Sequence, residues 1–94
     1  MVDLDTHELF CDDRRIECTA AEFRIVSALA RRPHGVFTRA QLLAELHGID
    51  RYISTRTIDT HVLNLRKKLE PDPRTPARLV TVCGVGYKLT DGER

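Results

Sequence analysis

The clearest pattern of apolar positions in the chain lies within residues 54–70. Four apolar residues recur there at intervals of three or four positions, namely Ile58, Val62, Leu65 and Leu69. At about 100° per residue this spacing predicts a helix with one narrow apolar stripe, which must face a core. The opposite side carries short polar, apolar and long cationic side chains, namely Arg56, Thr60, Leu63, Asn64 and Lys67. Such a face fits the major groove of DNA.

Two more helices are predicted upstream, and both begin with a capping box. The boxes are residues 19–22 (TAAE) and 38–41 (TRAQ), in which the Thr hydroxyl and the Glu or Gln side chain satisfy free backbone amides. We expect the first helix to reach about Arg32, before Pro33, and the second to reach His47, before Gly48. Their inward residues are expected to be Phe23, Val26, Leu29 and Ala30 in the first, and Leu42, Leu43 and Leu46 in the second.

The third helix is expected to begin at a cap formed by Ser54 or Thr55 and to reach about Glu70. Pro71 and Pro73 forbid its continuation, and residues 71–76 form a rigid, extended connector.

Short extended segments at both ends of the chain predict strands. Three are expected near residues 2–5, 8–11 and 14–18, with a turn at 12–13, and they form a small antiparallel sheet. Its inward residues are expected to be Leu4, Leu9, Ile16 and Cys18, with Phe10 as a further candidate. Near the other end, Val80 and Val82 alternate on one strand and Tyr87 and Leu89 on a return strand. Gly84 and Gly86 are expected to supply the turn of this hairpin.

The order of these elements predicts an α+β winged helix-turn-helix. Residues 1–18 form an N-terminal sheet of three to four antiparallel strands, and residues 19–70 form a three-helix core whose recognition helix is 55–70. Residues 78–90 form the hairpin that serves as the wing. A chain of 94 residues with 41% hydrophobic content is long enough for one such domain and too short for two.

The formal net charge of +1 hides a division along the chain. Residues 1–50 hold six Arg and Lys against nine Asp and Glu, whereas residues 51–88 hold eight against three. Because attraction to phosphates depends on the local field, this asymmetry is compatible with DNA binding. It also argues against strong non-specific binding.

Other classes of chemistry find little support. Cys11, Cys18 and Cys83 are odd in number and lack CxxC spacing, so a complete disulfide framework is excluded and a zinc site is poorly supported. We expect a reduced, cytoplasmic setting, no membrane span, no metal and no cofactor. Ser27 and Ser54 lie in a helical core pattern and at a cap, so no enzymatic activity is expected.

Four stretches, taken together, resemble the C-terminal effector domains of OmpR/PhoB-type response regulators, the transcription-factor halves of bacterial two-component systems. They are residues 19–23 (TAAEF), 37–43 (FTRAQLL), 56–62 (RTIDTHV) with 65–69 (LRKKL), and 81–87 (TVCGVGY). They span nearly the whole chain in the order and spacing of that family.

The resemblance implies a unit that binds direct-repeat half-sites of double-stranded DNA head to tail with another protomer. Helix three would lie in the major groove and the wing in the adjacent minor groove. The loop between helices two and three would contact RNA polymerase through Ile49, Asp50, Arg51 and Tyr52. In this family a receiver domain, served by a sensor kinase, precedes the effector domain. None is present in this sequence, so we expect an excised effector domain or a natural fragment.

The candidate site residues fall into three groups. Base reading is assigned to Thr60, Leu63 and Asn64. Phosphate binding is assigned to Arg56, Thr57, His61, Arg66, Lys67, Thr81 and Tyr87, and the wing tip comprises Cys83, Gly84 and Gly86. For Tyr87, buried packing in the hairpin and a phosphate contact through its hydroxyl are both open.

The chain departs from the family at three of these positions. Cys83 stands where an arginine commonly enters the minor groove, and Leu63 and Asn64 stand where arginine is frequent. Asn can pair with adenine, and the Thr60 methyl or Leu63 can contact a thymine methyl, so we expect A·T preference and modest intrinsic affinity.

Two interpretations of the exposed face remain. One is a sequence-specific transcriptional regulator, and the other is a winged-helix module that binds a protein partner with weak or no DNA binding. Exposed Leu63 and the replacement of arginine by Cys83 motivate the second. Cys83 itself is either a neutral replacement or a thiol that reports oxidation.

Overall fold

The computed structural model describes residues 2–3, 6, 8–11, 14–46, 55–70, 72 and 74–90. Within these ranges the chain forms two antiparallel sheets and three helices. In chain order they are β1 (Val2–Asp3), β2 (Glu8–Cys11), β3 (Arg14–Ile16), α1 (Ala20–Arg31), β4 (Phe37–Thr38), α2 (Arg39–Glu45), α3 (Thr55–Leu69), β5 (Leu79–Val82) and β6 (Gly86–Leu89).

The N-terminal sheet has the order β1-β2-β3, with neighbouring strands antiparallel. Leu9 lies opposite Ile16 in the register, and both side chains are buried against the helices, as predicted. Cys18 packs against the core from the segment after β3, which ends two residues earlier than expected. The predicted turn at 12–13 and Leu4 lie outside the described residues.

Helix α1 begins at the predicted capping box. The Glu22 amide donates to Thr19 Oγ1 at 3.2 Å, and the Thr19 amide donates to Glu22 Oε1 at 3.1 Å. The inward face is wider than predicted, because Ile25 and Ala28 are fully buried while Ala30 is only half-buried. Contacts with α2, α3, β1 and β6 explain this, since α1 has neighbours on several sides.

Helix α2 also begins at its predicted box, where the Gln41 amide donates to Thr38 Oγ1 at 3.0 Å. It ends at Glu45 and is capped by Leu46, which is fully buried. The helix therefore ends two residues before the predicted end at His47. Thr55 is the first residue of α3, while the loop 48–53 with its polymerase-contact residues and Ser54 lie outside what the structure describes.

The apolar stripe of α3 is confirmed in full, because Ile58, Val62, Leu65 and Leu69 are all at most 5% exposed.

The helix is followed by a buried carboxylate that sequence reasoning missed. Glu70 Oε2 accepts from the amides of Arg78 and Leu79, each at 2.9 Å. This carboxylate joins the end of α3 to the start of β5 and satisfies its own hydrogen-bonding capacity while buried.

The wing is a three-stranded sheet with the order β4-β6-β5, whereas the sequence predicted a hairpin alone. Phe37 and Thr38 of β4 lie opposite Tyr87 and Gly86 of β6. A Cβ on Gly86 would lie 1.9 Å from the Phe37 carbonyl oxygen, so the approach of β4 requires glycine there. Gly84 has φ +75° and supplies the turn, while Gly86 already belongs to β6, which corrects the predicted role of Gly86.

One core joins the helices to the wing. Its largest fully buried side chains come from the three helices, from the residue that caps α2 and from β5, namely Ile25, Val26, Leu29, Leu42, Leu46, Ile58, Val62, Leu65 and Leu79. Burial of each such side chain contributes about 1.5–3 kcal/mol relative to exposure.

In the part of the chain that the structure describes, no helix combines the length and the hydropathy needed to cross a bilayer.

Candidate nucleic-acid interface

The outward face of α3 is the surface predicted to read bases. Thr60 and Leu63 are exposed, with 49% of Leu63 accessible to solvent, and Asn64 is half-buried beside them. The Thr60 hydroxyl donates to the Arg56 carbonyl oxygen at 3.4 Å, one turn earlier in the helix. Its proton is therefore directed to the backbone, which leaves the oxygen and the methyl group for contacts outside the helix.

Two cations flank this face at opposite ends. Arg56 and Lys67 are exposed, and no acidic side chain among the described residues lies within ion-pair distance of either one. Thr57 and His61 are half-buried at the edge of the same face. The structure thus brings the predicted base-reading residues of α3 onto one surface with Arg56, Thr57, His61 and Lys67, and their assigned roles stay predictions.

Arg66 differs from the other cations because its side chain turns toward the wing. Its Nε donates to the Leu79 carbonyl oxygen at 2.9 Å, and its Nη2 donates to Thr81 Oγ1 at 2.6 Å. The guanidinium carbon also lies 5.6 Å from the centre of the Tyr87 ring. Arg66 and Thr81, both predicted to bind phosphate, therefore contact each other.

A second connection between α3 and the wing runs through Asp59. Tyr87 is buried and its hydroxyl donates to Asp59 Oδ1 at 2.5 Å, while Arg39 Nε of α2 donates to the same oxygen at 2.8 Å. The packing interpretation of Tyr87 is thus confirmed. A phosphate contact through its hydroxyl stays a prediction, and it requires this hydrogen bond to break because a hydroxyl has one proton to donate.

These contacts perturb two acids in opposite directions. The hydrogen bond from the Tyr87 hydroxyl, together with Arg39, lowers the pKa of Asp59. Burial of the phenol, followed by its hydrogen bond to the Asp59 carboxylate, raises the pKa of Tyr87. Near neutral pH the pair therefore consists of an ionised carboxylate and a protonated phenol.

Sequence reasoning missed Arg39 and Asp59. Arg39 belongs to the second capping box, and its side chain is 52% exposed next to the reading helix. A signal for Asp59 was present, since it is the acidic residue in a helix that carries Arg56, Arg66, Lys67 and Lys68. An acid in such a helix needs a partner, although its identity depends on the tertiary fold.

The wing tip presents Cys83, Gly84 and Val85 to solvent. Val85 is 51% exposed, whereas Gly86 is buried under β4. Thr81 is exposed on β5, directly opposite Tyr87 of β6. The exposed part of the wing therefore consists of small polar and apolar groups.

Lys68 belongs to a different part of the molecule from Lys67. Its Nζ donates to Glu22 Oε1 at 2.5 Å, and the Glu22 side chain is only 3% exposed. Lys68 thus ties α3 to the capping box of α1.

Among the described residues, no three His, Cys, Asp or Glu side chains are grouped so that they could hold a metal ion.

Residues 13–89 match the family described as transcriptional regulatory protein, C terminal. The chain belongs to this family. Its resemblance to the effector domains of OmpR/PhoB-type response regulators and its winged-helix fold are both confirmed. The effector domain is 41% identical over 87 residues to the DNA-binding response regulator MtrA of Mycolicibacterium paratuberculosis, which covers 93% of this chain and 39% of MtrA.

Two solved structures are similar to the effector domain over nearly its full length. One is the DNA-binding domain of response regulator AdeR in complex with an intercistronic region, with a TM-score of 0.80, 38% identity and coverage of 96% of this chain and 92% of that one. The other is the DNA-binding domain of Klebsiella pneumoniae RstA in complex with the RstA box, with a TM-score of 0.81, 26% identity and coverage of 96% and 89%. The chain spans about two fifths of the length of MtrA, since the match covers 39% of that relative.

Proposed function

We propose that this effector domain binds double-stranded DNA in a sequence-specific manner and thereby regulates transcription, with α3 in the major groove and the wing near the adjacent minor groove. The observation that carries the proposal is the division of α3 into two faces. Its apolar stripe is completely used by the core, while Arg56, Thr60, Leu63 and Lys67 are exposed beside the wing. AdeR and RstA, both similar in fold, were solved with DNA.

Base reading is assigned to Thr60, Leu63 and Asn64. A neutral amide, a methyl group and an exposed leucine suit adenine and thymine better than guanine, because guanine is most often read by arginine or lysine. The preferred half-sites are therefore A·T-rich at the contacted positions. Each good base contact is worth roughly 1–3 kcal/mol of discrimination.

Phosphate contacts position the domain without specifying sequence. Arg56 and Lys67 are the main cations for this role, with Thr57, His61 and Thr81 as further donors. Arg39 joins them because its guanidinium is exposed and is held at the side of α3 by Asp59. Arg66 has a different role, which its contacts with the wing define.

The finer partners are those that the resemblance to OmpR/PhoB-type response regulators implies. The domain binds direct-repeat half-sites head to tail with another protomer, and residues 49–52 contact RNA polymerase. It acts in the cytoplasm as part of a longer response regulator with a receiver domain that a sensor kinase phosphorylates. The span of the chain, 39% of MtrA, is compatible with a further domain of this kind.

The proposal is tested by fluorescence anisotropy with an A·T-rich direct-repeat duplex and a G·C-substituted duplex across a salt series. Wild type should bind the first duplex more tightly, with a salt slope near −0.9 per neutralised phosphate. Arg56→Ala should weaken binding to both duplexes alike and flatten the slope by about 0.9. Asn64→Ala should weaken only the preferred duplex, by about 5- to 150-fold, and so relax specificity.

Arg24→Ala is the matched control, since Arg24 is an exposed arginine of α1 and should change neither affinity nor slope. Absence of salt-dependent binding would overturn the proposal. That result would favour the protein-interaction module, for which Leu63 and Val85, 49% and 51% exposed, are the candidate contact residues. Selection of half-sites with G·C alone would overturn the assignment of Thr60, Leu63 and Asn64.

A further inference from the structure

Arg66 occupies the point where the recognition helix meets the wing. It contacts three groups of the wing sheet: the backbone of Leu79, the hydroxyl of Thr81 and the ring of Tyr87. Thr81 and Tyr87 are opposite one another in the β5–β6 register, so a single guanidinium reaches both strands. The half-buried position of Arg66 suits this use better than an exposed phosphate ligand.

The hydrogen bond from Arg66 to Thr81 leaves the threonine hydroxyl free to donate its own proton. A threonine hydroxyl has one proton to donate and two lone pairs to accept with. Arg66 Nη2 occupies a lone pair of Thr81 Oγ1 at 2.6 Å, which leaves the hydroxyl proton for another partner. Because Thr81 is exposed, that partner can come from outside the domain.

We propose that Arg66 is a positioning residue for phosphate recognition, which fixes β5 against α3 and orients the Thr81 hydroxyl as a donor, and does not itself bind phosphate. This role rests on the proposed DNA binding. It requires the planar fork of arginine, whose Nε and Nη2 reach Leu79 and Thr81 at once while the guanidinium lies near Tyr87. Lysine keeps the charge but presents a single nitrogen and cannot make the same set of contacts.

The orientation of Thr81 can be measured in the free protein. Three-bond couplings to the Thr81 methyl carbon report its χ1 angle, and in wild type they should correspond to one rotamer. Arg66→Met and Arg66→Lys should both give averaged couplings, whereas Lys67→Met, a change at the neighbouring cation, should leave them unchanged. A single, unchanged rotamer in both Arg66 variants would overturn the proposal.

The second measurement is a double-mutant cycle of DNA affinity with Arg66→Met and Thr81→Val. Loss of the Thr81 donor should weaken binding about tenfold. Arg66→Met should weaken it to a similar extent in the wild-type background and cause little further loss once Thr81 is valine. Arg66→Lys should resemble Arg66→Met, and neither should flatten the salt slope, because Thr81 is a neutral donor.

Lys67→Met is the control for a direct phosphate ligand. It should flatten the salt slope by about 0.9, and its effect should add to that of Thr81→Val. Additive losses for Arg66 and Thr81, or near wild-type affinity of Arg66→Lys, would overturn the positioning role. Thermal unfolding identifies any variant that fails to fold, and Arg66→Lys replaces Arg66→Met in that case.

Failure of the proposed function has a separate signature. If wild type shows no salt-dependent DNA binding, the proposed DNA-binding function is rejected, whatever the variants do. The couplings of Thr81 in the free protein then still decide whether Arg66 orients its hydroxyl.

Discussion

Asp59 is the acidic residue of a helix whose outward face is otherwise neutral or cationic. A carboxylate near DNA phosphates would repel them, but a single oxygen of Asp59 receives both the Arg39 guanidinium and the Tyr87 hydroxyl. The charge of Asp59 is thereby balanced, and α2, α3 and β6 are joined at one atom. The charge of Asp59 alone would oppose DNA binding, but its two hydrogen bonds hold α2 and β6 against the recognition helix.

The Tyr87 phenol gives this arrangement a pH dependence. Its pKa is raised in the folded state, so the folded protein holds the proton more tightly than the unfolded chain does. Stability from this source is complete below the ordinary tyrosine pKa of about 10 and is lost as pH rises through that value and beyond. The lowered pKa of Asp59 acts at the other end, where stability is lost as pH falls below about 4.

We therefore expect the free energy of unfolding, measured with urea between pH 8 and pH 11, to fall at the alkaline end in wild type. Tyr87→Phe should make this fall smaller, and the raised pKa of the half-buried Cys18 thiol should account for part of the remainder. Tyr52→Phe, which changes the other tyrosine, should retain the whole fall. An unaltered alkaline fall in Tyr87→Phe would show that other groups cause it.

At the scale of the element, α3 is one helix with two uses. Its apolar stripe supports the core, and its outward face is available to a partner. The boundary between these uses passes between two adjacent lysines. Lys67 is exposed, whereas Lys68 is bound to the buried Glu22 of α1. Adjacent positions of like charge thus differ in function because they are about 100° apart on the helix.

Substitution of these two lysines should separate stability from DNA binding. Lys68→Ala leaves the Glu22 carboxylate buried without its cation and should lower the free energy of unfolding by about 1–3 kcal/mol. Lys67→Ala should change it by less than about 0.5 kcal/mol but weaken DNA binding. Chemical denaturation and anisotropy on the same samples measure both effects. Equal destabilisation by the two variants, or equal loss of binding, would contradict this division.

At the scale of the whole molecule, the basic part of the sequence coincides with the recognition helix and the wing. Residues 51–88 hold eight Arg and Lys against three Asp and Glu, although the net charge is only +1. Several of those cations serve internal contacts, since Arg66, Lys68 and Arg78 bind groups within the domain. Few cations remain for phosphates, so binding should be modest in affinity and should depend on base contacts and a neighbouring protomer.

The approach of the wing to DNA can be followed through Cys83, which is exposed, in a Cys11→Ser background. DNA should slow alkylation of Cys83, so that at saturation only the unbound fraction of protein reacts. Cys18 is the internal control, because it is half-buried and burial raises the pKa of its thiol. Mass spectrometry of the digested protein gives both rates. Equal alkylation of Cys83 with and without DNA would place the wing away from the duplex.

The helices were predictable because their signals are local. Each capping box lies within four residues, and the stripe of α3 depends only on spacing within the helix. Strand β4 was missed because two residues carry no periodicity and the partner of Thr38 is Gly86, far along the chain. The same reason explains Arg39 and Asp59, whose partners lie on other elements. Exposure of Thr60 and Leu63 was predictable, whereas the inward turn of Arg66 depends on where the wing packs.

The pairing of β4 with β6 has a consequence for synthesis of the protein. During translation β4 is made well before β6, so β4 lacks this partner strand until residues 86–89 leave the ribosome. Closing so long a loop is entropically costly, and we expect the wing sheet to form after the helices have packed. A nascent chain that has not reached Tyr87 also lacks the partner of Asp59 and the ring beside Arg66. The recognition helix therefore acquires its final setting only when the last strand arrives.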